Sequence, residues 1–327
     1  MSLKCFVSTI VIESLTNTAV LFIIFNRPFT SKKVFEAIRI AKPSRLYIAA
    51  DAPRLENISD AENCKAARTI TDNIDWPCDV KRLYQNNNLG CNLGPRAAFN
   101  WFFSFEKKGI ILEDDCVPDQ SFFAFATSML ERYKHNKRII SINGSNLGYK
   151  PNHAFSYSFS RYMNMWGWAT WADRANEIDY SLDKWKQIKY PLWFLYKKMS
   201  QNLFDADIHW YKYWQHKFDL TVIKKEVTWW DWQWIWHQTL HQQLSIVPSV
   251  NLVSNIGFDS NATHTKESGN PASNIPIHPM LIPLEHPEII KSDFVYEEQF
   301  VKWVWCYHKR LPALFHIKQF VSNFLKK

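Results

Sequence analysis

Blocks of apolar residues punctuate the first half of the chain. Ala19–Phe25 is an unbroken apolar run closed by Asn26-Arg27-Pro28. A short continuous run of this kind predicts a strand buried on both faces, as in a parallel sheet. Thr30 is placed to cap a helix running to Ala41, with Val34, Ile38 and Ile40 apolar, and Pro43 stops it. Leu46–Ala50 predicts a second strand, ending in Asp51-Ala52-Pro53. Ala61–Thr71 predicts a helix, Val80–Tyr84 a third strand, and Pro95–Phe105 a helix with an aromatic face. Gly109–Leu112 predicts a fourth strand that runs into Glu113-Asp114-Asp115. Phe122–Tyr133 then predicts a helix and Ile139–Ile142 another strand. Strands alternating with helices at this spacing imply βαβ units and an open, mostly parallel α/β sheet flanked by helices.

Beyond residue 150 the rhythm changes. Met165–Trp171 is dense in indoles, and Ile178–Ile223 reads as helices rich in Trp and Lys. Thr228–Leu244 predicts a further Trp-rich helix, and Ser245–Val247 and Val250–Val253 read as strands. Asn255–Thr265 reads as a polar loop, Ser268–Pro287 as an extended crossing segment, and Phe294 onward as helix. The expected organisation is an α/β half over 1–150 and an aromatic-rich, helical half over 151–267. An extension with a basic amphipathic helix follows over 268–327.

Composition narrows the classes. Of 327 residues 46% are hydrophobic, enough for a large core, so wholesale disorder is excluded. Glycine numbers 8, against roughly 23 at average usage of about 7%. Collagen-like and glycine-rich chains are thereby excluded, and neither GxGxxG nor GxxxxGK[ST] occurs. The 16 Trp, 13 Tyr and 23 Phe suit sugar rings and ordinary cores equally. A net charge of +8 permits nucleic acid, an anionic membrane or phosphorylated substrates without choosing among them. No nucleic-acid motif or concentrated arginine patch is present, so a nucleic-acid partner is not expected. Six cysteines form no CxxC and no zinc spacing, and read as mostly reduced thiols. Their even number leaves a bridge such as Cys64–Cys78 open. Met1–Val11 has no leader pattern, and Ala19–Phe25 falls far short of the roughly 20 residues that span a bilayer. The expectation is a cytoplasmic protein, with peripheral membrane contact through the tail: Phe300–Lys327 carries six Lys or Arg and no acid.

In an open α/β sheet, ligands sit beyond the carboxyl ends of the strands. Asn26/Arg27, Asp51 and Glu113-Asp114-Asp115 all fall there by topology. Carboxylate oxygens in such a place suit Mg²⁺ or Mn²⁺, which can hold a diphosphate and neutralise its departing charge. An acidic triplet arises by chance at roughly 0.3 per chain of this acidity, and several times more rarely directly after an apolar strand. The plain alternative is an acidic helix start.

The segment Gly109-Ile-Ile-Leu-Glu-Asp-Asp-Cys-Val-Pro-Asp-Gln-Ser-Phe-Phe123 resembles the acidic motif of GT-A glycosyltransferases. It is most similar to the N-acetylglucosaminyltransferase I-like branch and to bacterial sugar transferases with an E-D-D motif. Trp229-Trp-Asp-Trp232, followed by Val247-Pro248, resembles the family segment bearing the catalytic carboxylate. The likeness covers residues 18–265. It implies a GT-A fold and inverting, metal-dependent transfer from a nucleotide-sugar, with UDP-sugar favoured, to a glycan or lipid-linked saccharide. By the same resemblance Asp115 is the direct metal ligand, and Glu113 and Asp114 contact donor sugar and ribose. Arg27, with Asn26 beside it, meets the diphosphate or base, and Asp51 accepts from the uracil imide. Asp231 is the general base, a role to which burial among indoles suits a carboxylate; the plain reading of Asp231 is a helix N-cap. His264, in Ala262-Thr-His-Thr265, is a candidate second ligand, with Asn255 and Thr263 as weaker lining residues. Trp166, Trp168, Trp171 and Trp230 are candidates for an acceptor platform, against a plain role in the core. Asn88–Gly94 either lets backbone approach the donor or is a strand-to-helix turn with Pro95 at the first helical position.

Two other functions compete. A nucleotidyltransferase would carry a glycine-rich basic loop after the first strand, and Asn26–Lys33 has no glycine. A non-catalytic carbohydrate-binding relative accounts for the tryptophans but has no use for a metal-linked base.

Overall fold

The computed structural model describes residues 17–188, 214, 216–224, 229–258 and 273–303. The apolar runs form strands: β1 (Val20–Ile24), β2 (Arg45–Ala50), β3 (Asp79–Tyr84), β4 (Lys108–Glu113), β5 (Cys116–Pro118) and β6 (Ile139–Asn143). Helices α1 (Pro28–Ala41), α2 (Ile58–Ile70), α3 (Gly90–Phe105) and α4 (Gln120–Arg132) connect them. Then come β7 (Tyr157–Ser160), β8 (Trp168–Trp171), α5 (Ala172–Ala175), α6 (Asp183–Ile188) and a π-helical turn at Leu220–Lys224. Helix α7 (Trp232–Leu240), β9 (Leu244–Pro248), β10 (Val253–Asn255) and α8 (Phe294–Trp303) complete the order.

The main sheet has eight strands in the order β3-β2-β1-β4-β8-β6-β9-β7. Pairing is parallel from β3 to β4 and between β6 and β9; β8 and β7 are antiparallel to their neighbours. Only those two strands run against the rest, so the fold is α/β with a mostly parallel mixed sheet, Rossmann-like in character. Strands β5 and β10 form a separate antiparallel pair.

Register decides where the chemistry lies. Ile24 aligns with Ala50, and Ile23 with both Ala49 and Glu113. The three strands therefore finish level, and the polar residues after each emerge along one edge. Both faces of the sheet are covered. Val20, Phe22 and Ile24 pack in one core with Val34 and Ile38 of α1 and Phe122 and Met129 of α4. The alternate residues, Ala19 and Leu21, pack in another with Phe99 and Phe102 of α3. Fully burying such a side chain contributes about 1.5–3 kcal/mol, so an unbroken apolar strand is stable only between two such layers.

Several expectations change. Helix α1 begins at Pro28, with Pro at its first position and Arg27 before it; the Thr30 hydroxyl donates to the Arg27 carbonyl at 3.3 Å rather than capping. Helix α3 begins at Gly90, which has φ +73°, so Pro95 lies inside the helix. Among the described residues the second half adds strands to the sheet as well as helices. Trp168-Ala-Thr-Trp171 is buried at every position, as β8, and with β7 and β9 it extends the same sheet. Val250–Leu252 is not strand, and β10 begins at Val253. The described part of the crossing segment is extended as expected: His278 N–H donates to the Asn251 carbonyl and Ser156 N–H to the Glu285 carbonyl. Cys64, Cys78, Cys91 and Cys116 are free thiols, so the Cys64–Cys78 bridge is absent. Among the described residues no helix is long and apolar enough to cross a membrane. Residues 304–327, most of the basic tail, lie outside the described residues.

Candidate functional site

Glu113 is the last residue of β4, and Asp114-Asp115 turn the chain into β5. The Phe25 N–H, just past β1, donates to Asp114 Oδ2 at 3.0 Å. The Arg27 guanidinium donates to Asp115 Oδ2 at 2.7 Å, with both side chains mostly buried. Parallel strands ending level thus clamp the acidic turn to the β1–α1 junction.

These carboxylates are short of positive charge. Burial pushes Asp114 up to about 7, and the Asp115 charge adds to it; Arg27 and the Phe25 N–H oppose. Glu113 stands well above the ordinary carboxylate range because of burial, then Asp115, Asp114 and Asp231. Asp231 is therefore within electrostatic reach of Glu113 although it lies far along the chain. Asp231 precedes α7 and makes no capping hydrogen bond with its side chain, so its position is that of an N-cap without the bond. Burial raises it to about 6, against Lys217 and nearby backbone N–H groups. Its neighbours are aromatic: Trp230 stacks on Trp168 with centroids 5.9 Å apart, and Trp232 stacks on Trp229 at 3.6 Å. The Lys217 ammonium lies 4.1 Å from the Trp232 ring centroid.

The nucleotide-facing candidates are committed to the protein. Asp51 accepts from its neighbour Ala52 N–H at 2.9 Å, from Leu89 N–H at 2.9 Å, from Gly90 N–H at 2.8 Å and from Asn88 Nδ2 at 3.2 Å. Those donors use its lone pairs, so the expected uracil acceptor is corrected to a clasp on the start of α3. The Asn88–Gly94 stretch is the strand-to-helix turn that Asp51 holds. Asn26 Nδ2 donates to Asp60 Oδ1 at 2.7 Å, and Arg54 Nε donates to Asp60 Oδ2 at 2.6 Å. The Arg54 guanidinium and two further hydrogen bonds hold Asp60 below the usual carboxylate range despite its burial. Asp51 still lies beside the site. The Cys91 thiol, in the first turn of α3, is pushed up by burial and by the charges of both Glu113 and Asp51.

Sequence reading missed Gly257. The Ile256 N–H donates to the Asp115 carbonyl at 2.8 Å, and the Gly257 N–H to Asn255 Oδ1 at 2.8 Å. A Cβ at Gly257 would lie 2.0 Å from Asp115 Oδ2, so only glycine lets this strand pass so close to the carboxylate. The β5–β10 pairing that delivers it was the available signal, hidden by its short strands. Asn255 thus shapes this turn rather than facing a ligand through its carbonyl oxygen. His264 and Thr263 lie outside the described residues.

The aromatic candidates divide. Trp168 is fully buried and Trp171 nearly so, which corrects their acceptor role to core packing. Trp230 is 7% exposed, against Phe99 and Trp168. Trp166 keeps partial exposure and meets Phe258 edge-on at 5.5 Å. Among the described residues no group of three His, Cys, Asp or Glu side chains stands in metal-ligand geometry. No protein-family model and no curated protein matches this chain in sequence.

Proposed function

We propose that this protein is a GT-A-type, inverting, metal-dependent glycosyltransferase that moves a sugar from a nucleotide-sugar, with UDP-sugar favoured, to a hydroxyl of a glycan or lipid-linked saccharide. The observation that carries the reading is the pairing of two carboxylate groups of different origin. Glu113-Asp114-Asp115 terminates a buried parallel strand, and Asp231 comes from a distant helix to within electrostatic reach of it.

The donor set fits a hard dication. Oxygen ligands in carboxylate excess, with Arg27 as the nearby cation, favour a divalent metal. Mg²⁺ and similar ions use one or two carboxylates plus substrate phosphates rather than an all-protein cage, a demand that Asp115 and Asp114 can meet. Asp115, with Asp114 beside it, would hold the ion, which would neutralise charge on the departing nucleotide diphosphate.

The chain's own groups supply the rest. Arg27 offers a guanidinium to diphosphate oxygens beside Asp115. Asp231 takes the proton of the attacking acceptor hydroxyl; its value near 6 leaves it ionised at neutral pH yet more basic than a solvated aspartate. Trp230 and Trp232, on either side of Asp231 in the chain, are themselves buried. Trp168 and Trp171 belong to the core, so these two rings lend nothing to a reading of the protein as a binding module.

A panel of UDP- and GDP-sugars with Mn²⁺, scored by nucleotide release, tests the proposal. Release is expected from one donor, dependent on the metal and lost in Asp115→Ala. Full turnover in Asp115→Ala, or no turnover with any donor, refutes it.

A further inference from the structure

One partly exposed indole stands beside the acidic turn and has no part in the chemistry proposed above. Trp168, the first residue of β8, pairs antiparallel with Ile111 of β4. The preceding Gly167 has φ +63°, and a Cβ on it would lie 3.2 Å from Leu112 Cδ2. The chain ahead of β8 therefore keeps alongside β4, and Trp166 comes level with Glu113. Two backbone bonds fix it there: the Trp166 N–H donates to Asn164 Oδ1 at 2.9 Å, and the Gly144 N–H to the Gly167 carbonyl at 2.7 Å. A second segment leads to the same place. Gly257 passes against Asp115 Oδ2, and the next residue, Phe258, meets the Trp166 ring edge-on at 5.5 Å.

The polar groups here are open rather than walled in. The Glu113 carboxylate accepts no hydrogen bond from any described residue, and the Trp166 indole N–H donates to none. Neither group is closed to water, and both residues keep partial exposure. An unmatched acceptor and an unmatched donor thus adjoin an aromatic surface. A pyranose presents the complement: hydroxyls that donate and accept, and an apolar face of C–H groups. Charge selects further. Asp231 adds to the negative field of Glu113, Asp114 and Asp115, and Arg27 is already paired with Asp115. An acidic sugar would bring one more like charge into this group.

We infer that Trp166 recognises the sugar being transferred, and that this sugar is an uncharged pyranose rather than a uronic acid. The indole offers its face to the ring C–H groups, while its N–H and the Glu113 carboxylate exchange hydrogen bonds with hydroxyls. The inference rests on the transferase reading, since it takes the sugar to be the one carried by the nucleotide.

Calorimetric titration of the full chain with Mn²⁺ compares UDP, UDP-glucose, UDP-galactose, UDP-N-acetylglucosamine and UDP-glucuronate. One of the neutral donors is expected to bind about tenfold or more tightly than UDP-glucuronate, because like charges brought together are strongly disfavoured. In Trp166→Ala the affinity of that donor relative to UDP is expected to fall about fivefold or more, the scale of a lost aromatic contact, with UDP itself bound within about twofold of native. Trp166→Phe, which keeps an aromatic face, is expected to recover most of the loss. Should Trp166→Ala not fold, the ¹⁹F resonance of Trp166 in protein labelled with 5-fluorotryptophan, assigned through Trp166→Phe, is expected to shift with the donor beyond its position with UDP. Tightest binding by UDP-glucuronate, equal weakening of UDP and donor in Trp166→Ala, an undiminished ratio in that variant, or one resonance position for both ligands overturns the inference. Absence of binding by UDP and by every donor fails the transferase reading itself, and the inference with it.

Discussion

Replacing Asp231 with Asn removes a charge that the fold holds at a cost. The carboxylate moves from 3.8 to about 6 because burial disfavours the ionised form. At about 1.36 kcal/mol per pKa step, and with its partial exposure discounted, that corresponds to about 2–3 kcal/mol. Below pH 4 both the folded and the unfolded chains carry the proton, and no penalty exists. Between pH 4 and 6 the unfolded chain releases it first, so stability falls; above pH 6 the full penalty applies. Asp231→Asn is therefore expected to match the native protein at pH 3.5 and to exceed it by about 2–3 kcal/mol at pH 8, a rise of about 3–4 °C in melting temperature. Transfer to acceptor is expected to fall by about 10²–10⁴-fold, the range for a lost general base, with donor binding kept. Urea denaturation of both proteins at the two pH values, beside a donor-binding and a transfer assay, provides the check. Equal stability at both pH values would refute the burial argument, and normal transfer would remove Asp231 as the base.

Two further outcomes follow from the geometry around that carboxylate cluster. Gly257→Ala puts a methyl group 2.0 Å from Asp115 Oδ2 and must displace it; Mn²⁺-dependent nucleotide binding is expected to weaken about tenfold, with an overpacking cost of about 1–3 kcal/mol in denaturation. Asp51→Ala removes the acceptor for Leu89 and Gly90 N–H groups; a loss of about 1–2 kcal/mol is expected, with faster hydrogen exchange concentrated at those two amides.

The parts of the fold that could be read from the chain were those with local causes. Strands β1, β2 and β4 are legible because burial on both faces demands unbroken apolar runs, and those runs end in polar clusters. The acidic turn follows from the same rule. Strand β8 was not legible, since Trp168-Ala-Thr-Trp171 carries no periodicity long enough to separate strand from buried helix. Asp51 shows the other limit. Its place at the end of β2 was evident, but its donors lie 38 and 39 residues away on a loop whose path no local pattern encodes. Gly257 was hidden for the same reason: its importance arises from the backbone it passes, not from its neighbours in sequence.

The aromatic excess acquires a different meaning once the strands are in place. Phe99, Trp168, Trp230 and Trp234 form one edge-and-face cluster at the start of α7, with centroid separations from 4.8 to 6.4 Å. Aromatic pairs of this kind contribute about 0.5–1.5 kcal/mol each beyond the area they bury. Trp230 and Trp234 of this cluster lie within three residues of Asp231, whose carboxyl burial pushes up to about 6, so the cluster and the perturbed carboxylate belong to one short segment. Trp234 strengthens the link, since its indole N–H donates to the Tyr180 hydroxyl at 3.0 Å, and the Arg96 guanidinium lies over the Tyr180 ring at 4.3 Å. Helix α3, whose start Asp51 clasps, is in this way joined to helix α7, at whose start Asp231 stands. The two helices whose starts border the acidic turn are thus braced against each other through an indole hydrogen bond and a guanidinium over an aromatic ring rather than through ion pairs.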